Sequence, residues 1–199
     1  MPFNVQEFRS SLLFDGARPS LFDVTMVFPA IVATGGTAAG AVGTASQQVT
    51  FKAKSSSLPG DSISSIPVNY FGREIKVAGT RAFTDWSFTV INDEDFVIRN
   101  AFERWMSGLN SHVGNLRLPE FMNSVGYQSD AYVTQYSKEG TILKQYKMIG
   151  CFPTDVSAID LDWAAGDQIE EFAVTFSYQW WESILTTDSS TSITPFQTL

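Results

Sequence analysis

EFAVTFSYQW, residues 171–180, alternates almost without a break. Phe172, Val174, Phe176, Tyr178 and Trp180 fall on one face, and Glu171, Thr175, Ser177 and Gln179 on the other. Only an extended strand sends every second side chain to the same side, so this segment reads as a strand with one buried face. The same period recurs along the chain. Phe22, Val24, Met26 and Phe28 carry it early; Trp86, Phe88 and Val90 carry it against Asp85, Ser87 and Thr89. Val49, Phe51 and Ala53 alternate with Thr50, Lys52 and Lys54. Tyr132, Thr134 and Tyr136 form a weaker strand that leads through Glu139-Gly140, a hairpin turn, into a strand over 141–149.

One segment has helical spacing. Between Asp93 and Leu109, Ile98, Phe102, Trp105 and Leu109 share a face. Asn92 is placed to cap this helix, and Asp93, Glu94 and Asp95 lie where the helix dipole favours anions. Strands, one helix, then strands predict a mainly β fold, a two-sheet β-sandwich or barrel with one flanking α-helix. Residues 1–199 read as a single domain with its core at about 17–182. Residues 30–47, rich in Gly, Ala and Thr, read as a loop insertion, 110–128 as a long connection, and 183–199 as a polar Ser/Thr-rich arm.

Composition narrows the function classes. The chain has 199 residues, 44% hydrophobic and 14% aromatic, with sixteen Phe and five Trp. Charged residues are 17%, against roughly 25% in an average globular domain. Many aromatics and few charges suit either a large core or surface buried by self-association. A net charge of −8 and no basic run exclude gripping nucleic acid by counterion release. Cys151 is the single cysteine, so no intrachain disulfide forms, in keeping with synthesis in a reducing cytoplasm. The first ten residues lack the pattern of a signal peptide, and no stretch approaches the ~20 apolar residues of a membrane span.

The search for chemistry yields little. His112 is the lone histidine, so a zinc site of four His and Cys ligands has too few members, and His112 reads as a solvated loop residue. Gly35 and Gly40 have phosphate-loop spacing, but Ala41 and Val42 stand where Lys and Ser or Thr are needed. Asp155, Asp160, Asp162 and Asp167 do not match a calcium-loop pattern. No Gly-x-Ser-x-Gly elbow is present. The expectation is therefore no catalytic residue, no metal and no cofactor.

Several segments, in order, resemble the tail tube proteins of T-even-type contractile bacteriophages: ARPSLFDV at 17–24; FKAK at 51–54, followed by Leu58-Pro59 and Ile66-Pro67-Val68; REIKVAG at 73–79; RAFTDWSFTV at 81–90 with Asn92-Asp93-Glu94; GCFPTDV at 150–156; Leu161-Asp162-Trp163; and the closing strand to Trp181-Glu182. The ordered set, spanning 17–182, carries the resemblance. The 30–47 stretch and the 183–199 extension depart from it.

That resemblance implies a structural virion protein of the tail, assembled in the host cytoplasm. Its subunits would form a homo-hexamer whose sheets join into a continuous inner barrel, and rings would stack into a conduit for the genome. The implied neighbours are the tail sheath protein, the tape measure protein, and the baseplate and tail terminator proteins, with viral DNA passing the lumen without specific binding and no membrane contact. Tube proteins of type VI secretion and other contractile injection systems are similar, so a tube or baseplate-tube subunit of such a machine is the alternative. A carbohydrate-binding or hydrolytic sandwich is the alternative from another class; it needs two carboxylates about 5–10 Å apart across a cleft. The polar 55–66 stretch resembles the family loop that reaches a neighbouring ring. Candidate ring-ring and intersubunit contacts are Ser57, Leu58, Pro59, Asp61, Ile63, Arg73, Glu74, Lys76, Arg81 and Asp85. The charged ones among them either pair between subunits, pair within one, or stay solvated. Trp86, Trp105 and Trp163 are expected in the core.

Overall fold

The computed structural model describes residues 4–12, 16–29, 32 and 39–186, with 39–44 and 184–186 described by backbone alone. The elements in chain order are α1 (Val5–Ser11), β1 (Phe22–Met26), α2 (Ala39–Lys52), β2 (Ala53–Ser56), β3 (Asp61–Tyr70), β4 (Arg73–Phe83), β5 (Trp86–Ile91), α3 (Val97–Leu109), α4 (Ser124–Tyr127), β6 (Ser129–Tyr136), β7 (Ile142–Val156), β8 (Glu171–Ser177) and β9 (Trp180–Thr186). Every strand pair is antiparallel.

Two four-stranded sheets share β7. One runs β1-β6-β7-β9, the other β2-β5-β8-β7. The first part of β7 pairs with β6 and β9, and Phe152–Val156 pairs with β8. Near this changeover stands Gly150 at φ +70°, where a Cβ would lie 2.9 Å from Gln179 Cγ. Glycine suits a position with positive φ and a close neighbour, and it lets one strand turn from sheet to sheet. The fold is thus the expected mainly β, two-sheet arrangement, with more α-helix than the one flanking helix expected.

The buried faces meet in one core. Phe172, Val174 and Phe176 of β8 and Trp86, Phe88 and Val90 of β5 point into it, as their alternation predicts. Phe176 is the hub: Phe88 stacks on it at 5.6 Å between centroids, and Trp86, Phe102 and Trp105 also contact it. α3 lays Ile98, Phe102 and Trp105 on this cluster, and Trp105 Nε1 donates to the Tyr127 carbonyl. The Ser137–Thr141 turn closes the β6–β7 hairpin around Gly140, with Ser137 N donating to the Thr141 carbonyl at 2.8 Å.

Five expectations are corrected. The strand expected over 49–54 and the loop expected at 39–47 are largely helix α2, with β2 starting only at Ala53. Ala45 and Val49, four apart, are buried, while Phe51 is 87% exposed; period 3.6 separates residues that period 2 would align. The rest of the 30–47 insertion lies outside the described residues apart from Val32, which is buried. α3 starts at Val97, not Asp93, because Phe96 takes a left-handed conformation (φ 51°) and interrupts the helix. Asn92 does not cap it: its Nδ2 donates to Glu170 Oε2, and Asp95 accepts from Val97 N instead. Residues 183–186, expected in the tail, belong to β9, while 187–199 lie outside the described residues. Trp163 is fully exposed, and Trp180, beyond the β8 corner, is half-exposed; Trp86 and Trp105 are core.

Phe176→Ala should lower the free energy of unfolding by about 3–5 kcal/mol in urea titrations, as expected for a buried aromatic removed from a packed core. Phe51→Ala should stay within about 0.5 kcal/mol, as an exposed helical position does; a loss as large as that of Phe176→Ala would reinstate the strand.

Candidate functional site

Two features project from the core. The first is the β3–β4 hairpin. Among the described residues it pairs only with itself, over Asp61–Tyr70 and Arg73–Phe83, and almost every residue in it is exposed. Ten residues at about 3.3 Å each give an arm of roughly 30 Å. The register puts Ile66 opposite Val77, Val68 opposite Ile75 and Tyr70 opposite Arg73, so these six share one face. Ser65, Pro67 and Asn69 oppose Ala78, Lys76 and Glu74 on the other. One face is therefore apolar apart from Arg73, and it stays exposed among the described residues. At the tip, Phe71 and Gly72 both have positive φ (45° and 80°), the geometry of a tight two-residue hairpin turn. Phe71 is 93% exposed and meets Tyr70 edge-on at 4.6 Å.

The second feature is the connection between β7 and β8. Residues 158–171 bound a cleft of ≈ 780 Å³, with Lys54 on its far side. Leu161 and Ile169 stand exposed there among Asp160, Asp162 and Asp167, while Trp163, also exposed, is not part of the lining. Lys54 pairs with Glu171, and Asp162 Oδ1 accepts from Ala164 N. Among the described residues, no three His, Cys, Asp or Glu side chains are grouped to hold a metal.

The candidate contact residues fall into three places. Ser57, Leu58 and Pro59 lie in the short link between β2 and β3, where Trp86 Nε1 donates to the Ser57 carbonyl and Pro59 is buried. The polar 55–66 stretch, expected as a loop, is thus mostly strand, its loop confined to residues 57–60. Asp61, Ile63, Arg73, Glu74, Lys76 and Arg81 all lie on the hairpin, and Asp85 precedes β5. Arg81 Nε pairs with Asp61 Oδ2 at 2.8 Å inside the subunit. Arg73, Glu74 and Lys76 make no ion pair among the described residues. Reading residues 55–66 as a loop missed the apolar face, although Ile66, Val68 and Tyr70 already alternate in the sequence.

Elsewhere the polar groups are structural. His112 lies exposed in the turn after α3. Asp93, from the acidic triplet, is held below its usual pKa by its hydrogen bond from Lys52 and by the Glu94 amide. Tyr136 is raised by donating to Asp23 Oδ2 at 2.7 Å. Cys151 is buried, and burial pushes its thiol up to about 12.

A sandwich with a self-paired arm whose apolar face is exposed offers a surface that a partner can bury. The family model for phage tail tube proteins matches residues 17–184, and the chain belongs to that family. It is 33% identical over 172 residues to the tail tube protein gp19 of Enterobacteria phage T4, covering 84% of this chain and 92% of that one. It is 24% identical over 176 residues to the tail tube protein of Serratia phage KSP90, covering 87% and 93%. Among solved structures, a chain of the extended sheath–tube complex of the extracellular contractile injection system PVC superposes with a TM-score of 0.56 at 14% identity, covering 88% of this chain and 96% of that one. A chain of the tube-terminating cap of the anti-feeding prophage gives 0.58 at 15% identity, covering 85% and 91%. The protein is a structural tail tube subunit, and no helix among the described residues is long and apolar enough to cross a membrane.

Two outcomes follow. Arg81→Ala should change subunit stability by less than about 1 kcal/mol in urea titrations, because an exposed ion pair contributes little. Cys151 should be inert to a thiol reagent at pH 8 in the folded subunit and titrate as one thiol in urea; fast labelling of the folded chain would contradict its burial.

Proposed function

We propose that six copies of this chain, each a single tube domain, close into a ring through the edges of the β1-β6-β7-β9 sheet. Rings then stack into the conduit through which the genome leaves the virion. The observation that carries this reading is that β1 and β9 are the two edges of one four-stranded sheet, each with one side unpaired among the described residues. Joining β9 of one copy to β1 of the next satisfies both rows of backbone groups and removes the exposed edges. A contact between two different surfaces repeats until the ring closes.

The face of that sheet turned away from the core then lines the bore. It carries Asp23, Asp130 and Glu182 against Lys147, with Thr134 and Gln145 between them. Lys147 is bound to Asp130 at 2.7 Å, which raises its pKa and keeps its charge paired. Such a lining is polar and net negative, so DNA passes it without adhering. The sheath packs outside, the tape measure occupies the bore before ejection, and the baseplate and terminator close the ends. The chain's role is mechanical, without catalysis or cofactor. The hairpin residues Asp61, Ile63, Arg73, Glu74, Lys76 and Arg81, the link Ser57, Leu58 and Pro59, and Asp85 serve contacts between copies. A tube subunit of another contractile machine shares this fold; the 33% identity to a phage tube protein favours the phage tail.

Electron microscopy of the purified protein, with isolated baseplates of its phage as seeds, should give hollow tubes of stacked six-membered rings with Asp23, Lys147 and Glu182 facing the channel. A map with that face turned outward, or with a basic channel, would remove the reading of the bore.

A further inference from the structure

We infer the register of the ring seam: β9 of one copy runs antiparallel to β1 of the next, staggered by four residues, with Leu185 opposite Val27 and Ser183 hydrogen-bonded to Phe28. This register rests on the ring reading above and fixes which residues meet across each seam.

Three hydrogen bonds show which backbone groups each edge leaves open. Tyr136 N donates to the Leu21 carbonyl at 2.8 Å and Val27 N to the Asp130 carbonyl at 3.5 Å, so Asp23 and Thr25 between them bond toward β6 as well. In a strand, the N–H and C=O of one residue point to one side and those of the next residue to the other. Phe22, Val24, Met26 and Phe28 therefore present theirs to the open side. At the other edge, the Ile149 carbonyl accepts from Gln179 N at 3.0 Å, which turns Ile149 and Lys147 toward β9. Glu182, opposite Lys147, bonds back to β7 and leaves Trp181 and Ser183 open. Val24, Met26 and Phe28 are buried on the core side, and Trp181 stands opposite buried Met148 on that same side. Residues bonded directly across two strands share a face, so the two edges match and the joined sheet keeps one bore face. β1 and β7 run one way, β6 and β9 the other, so β9 meets a rotated copy of β1 antiparallel.

The stagger follows from closure. A sheet closes into a barrel only with its strands tilted, typically by ~35–45°. Four strands span ~19 Å, and that tilt displaces the next copy by ~13–19 Å, about four to six residues. Matching faces allow only even steps. Chirality sets the direction. With a strand running upward and a side chain toward the viewer, the N–H and C=O of that L-residue point right. Asp23 lies on the bore face and bonds toward β6, so from the bore β6, β7 and β9 follow β1 to the right. Right-handed twist coils barrel strands right-handedly, and from inside they lean up and to the left. The row Thr25, Tyr132, Lys147, Glu182 crosses the strands at right angles. It climbs to the right and meets the next β1 beyond its Thr25. A step of four sets Glu182 opposite Pro29 and Ser183 opposite Phe28. The extra residue of β9 between Ser183 and Leu185 then brings Leu185 opposite Val27. A step of six would carry Ser183 past Pro29. The seam also covers Val27, an apolar side chain 55% exposed at the edge of the bore face.

The test uses full-length protein grown into tubes on baseplate seeds. In wild-type tubes the Phe28 amide should exchange with deuterium at least ~10-fold more slowly than in dilute monomer. Without stagger, Phe28 would lie beyond the start of β9 and keep its monomer rate. Independently, Val27→Cys with Leu185→Cys creates a non-hydrogen-bonded pair with Cα atoms ~4.5 Å apart, within reach of a disulfide. That chain should oxidise in tubes to a ladder ending at six chains and stay single as dilute monomer; the buried Cys151 leaves the readout clean. Thr25→Cys with Glu182→Cys, neighbours only in an unstaggered seam, should not cross-link. A ladder from this second pair in place of the first, or a Phe28 amide that assembly leaves unprotected, would overturn the register and leave the ring standing. Tubes whose map shows β1 and β9 apart, or wild-type protein that forms no tube on seeds, would remove the ring reading and the register with it.

Discussion

The subunit depends on one strand serving two sheets. β7 must leave the β6–β9 side and join β8 within its fifteen residues, and it does so over Gly150, Cys151 and Phe152. With that turn the chain folds over itself, the buried faces of both sheets converge on Phe176, and α3 closes the flank with Phe102 and Trp105. Backbone hydrogen bonds hold each sheet, but the aromatic hub decides how the sheets sit. Its rings bury large apolar areas, and their tilted and stacked contacts add orientation to the burial.

The same corner determines what is left over. By bending into two four-stranded sheets, the chain leaves β1 and β9 as edges of one of them and β2 as an edge of the other. α2 packs its buried Ala45 and Val49 into the core with Val24 and Met26 of β1, which leaves the edge of β1 without a strand partner among the described residues. What the monomer does not cover is the apolar face of the arm and the Leu161–Trp163 segment. Exposed apolar surface of this extent marks a site of interaction, and a chain of low charge content does little to offset it.

Electrostatics divides the chain in a way that its net charge conceals. Neutral through Lys147 and uniformly acidic afterwards, it places its negative charge on the β7–β8 connection and the segments that follow. Within the subunit most of that charge stays solvated, because the connection packs little of its length on the core. Its energetic effect is therefore small in the monomer and grows only when another surface excludes water from it.

The alternation at 171–178 and at 86–90 was legible because a strand with one buried face must repeat every two residues, and the helix around Phe102 and Trp105 because its face must repeat every 3.6. The ordered family segments likewise identified the class. The tertiary structure alone decided the rest. Whether 45–52 is strand or helix depended on what Val49 packs against, since both periods fit so short a run. Asn92 looked like a cap until Glu170, distant in sequence, claimed its side chain. Trp163 has the composition of a core residue and lies outside, because nothing in residues 158–170 folds back over it. Alternation records that a face is buried or apolar, while which partner covers it, the subunit's own core or a neighbouring copy, is set only by contacts between residues far apart in the chain.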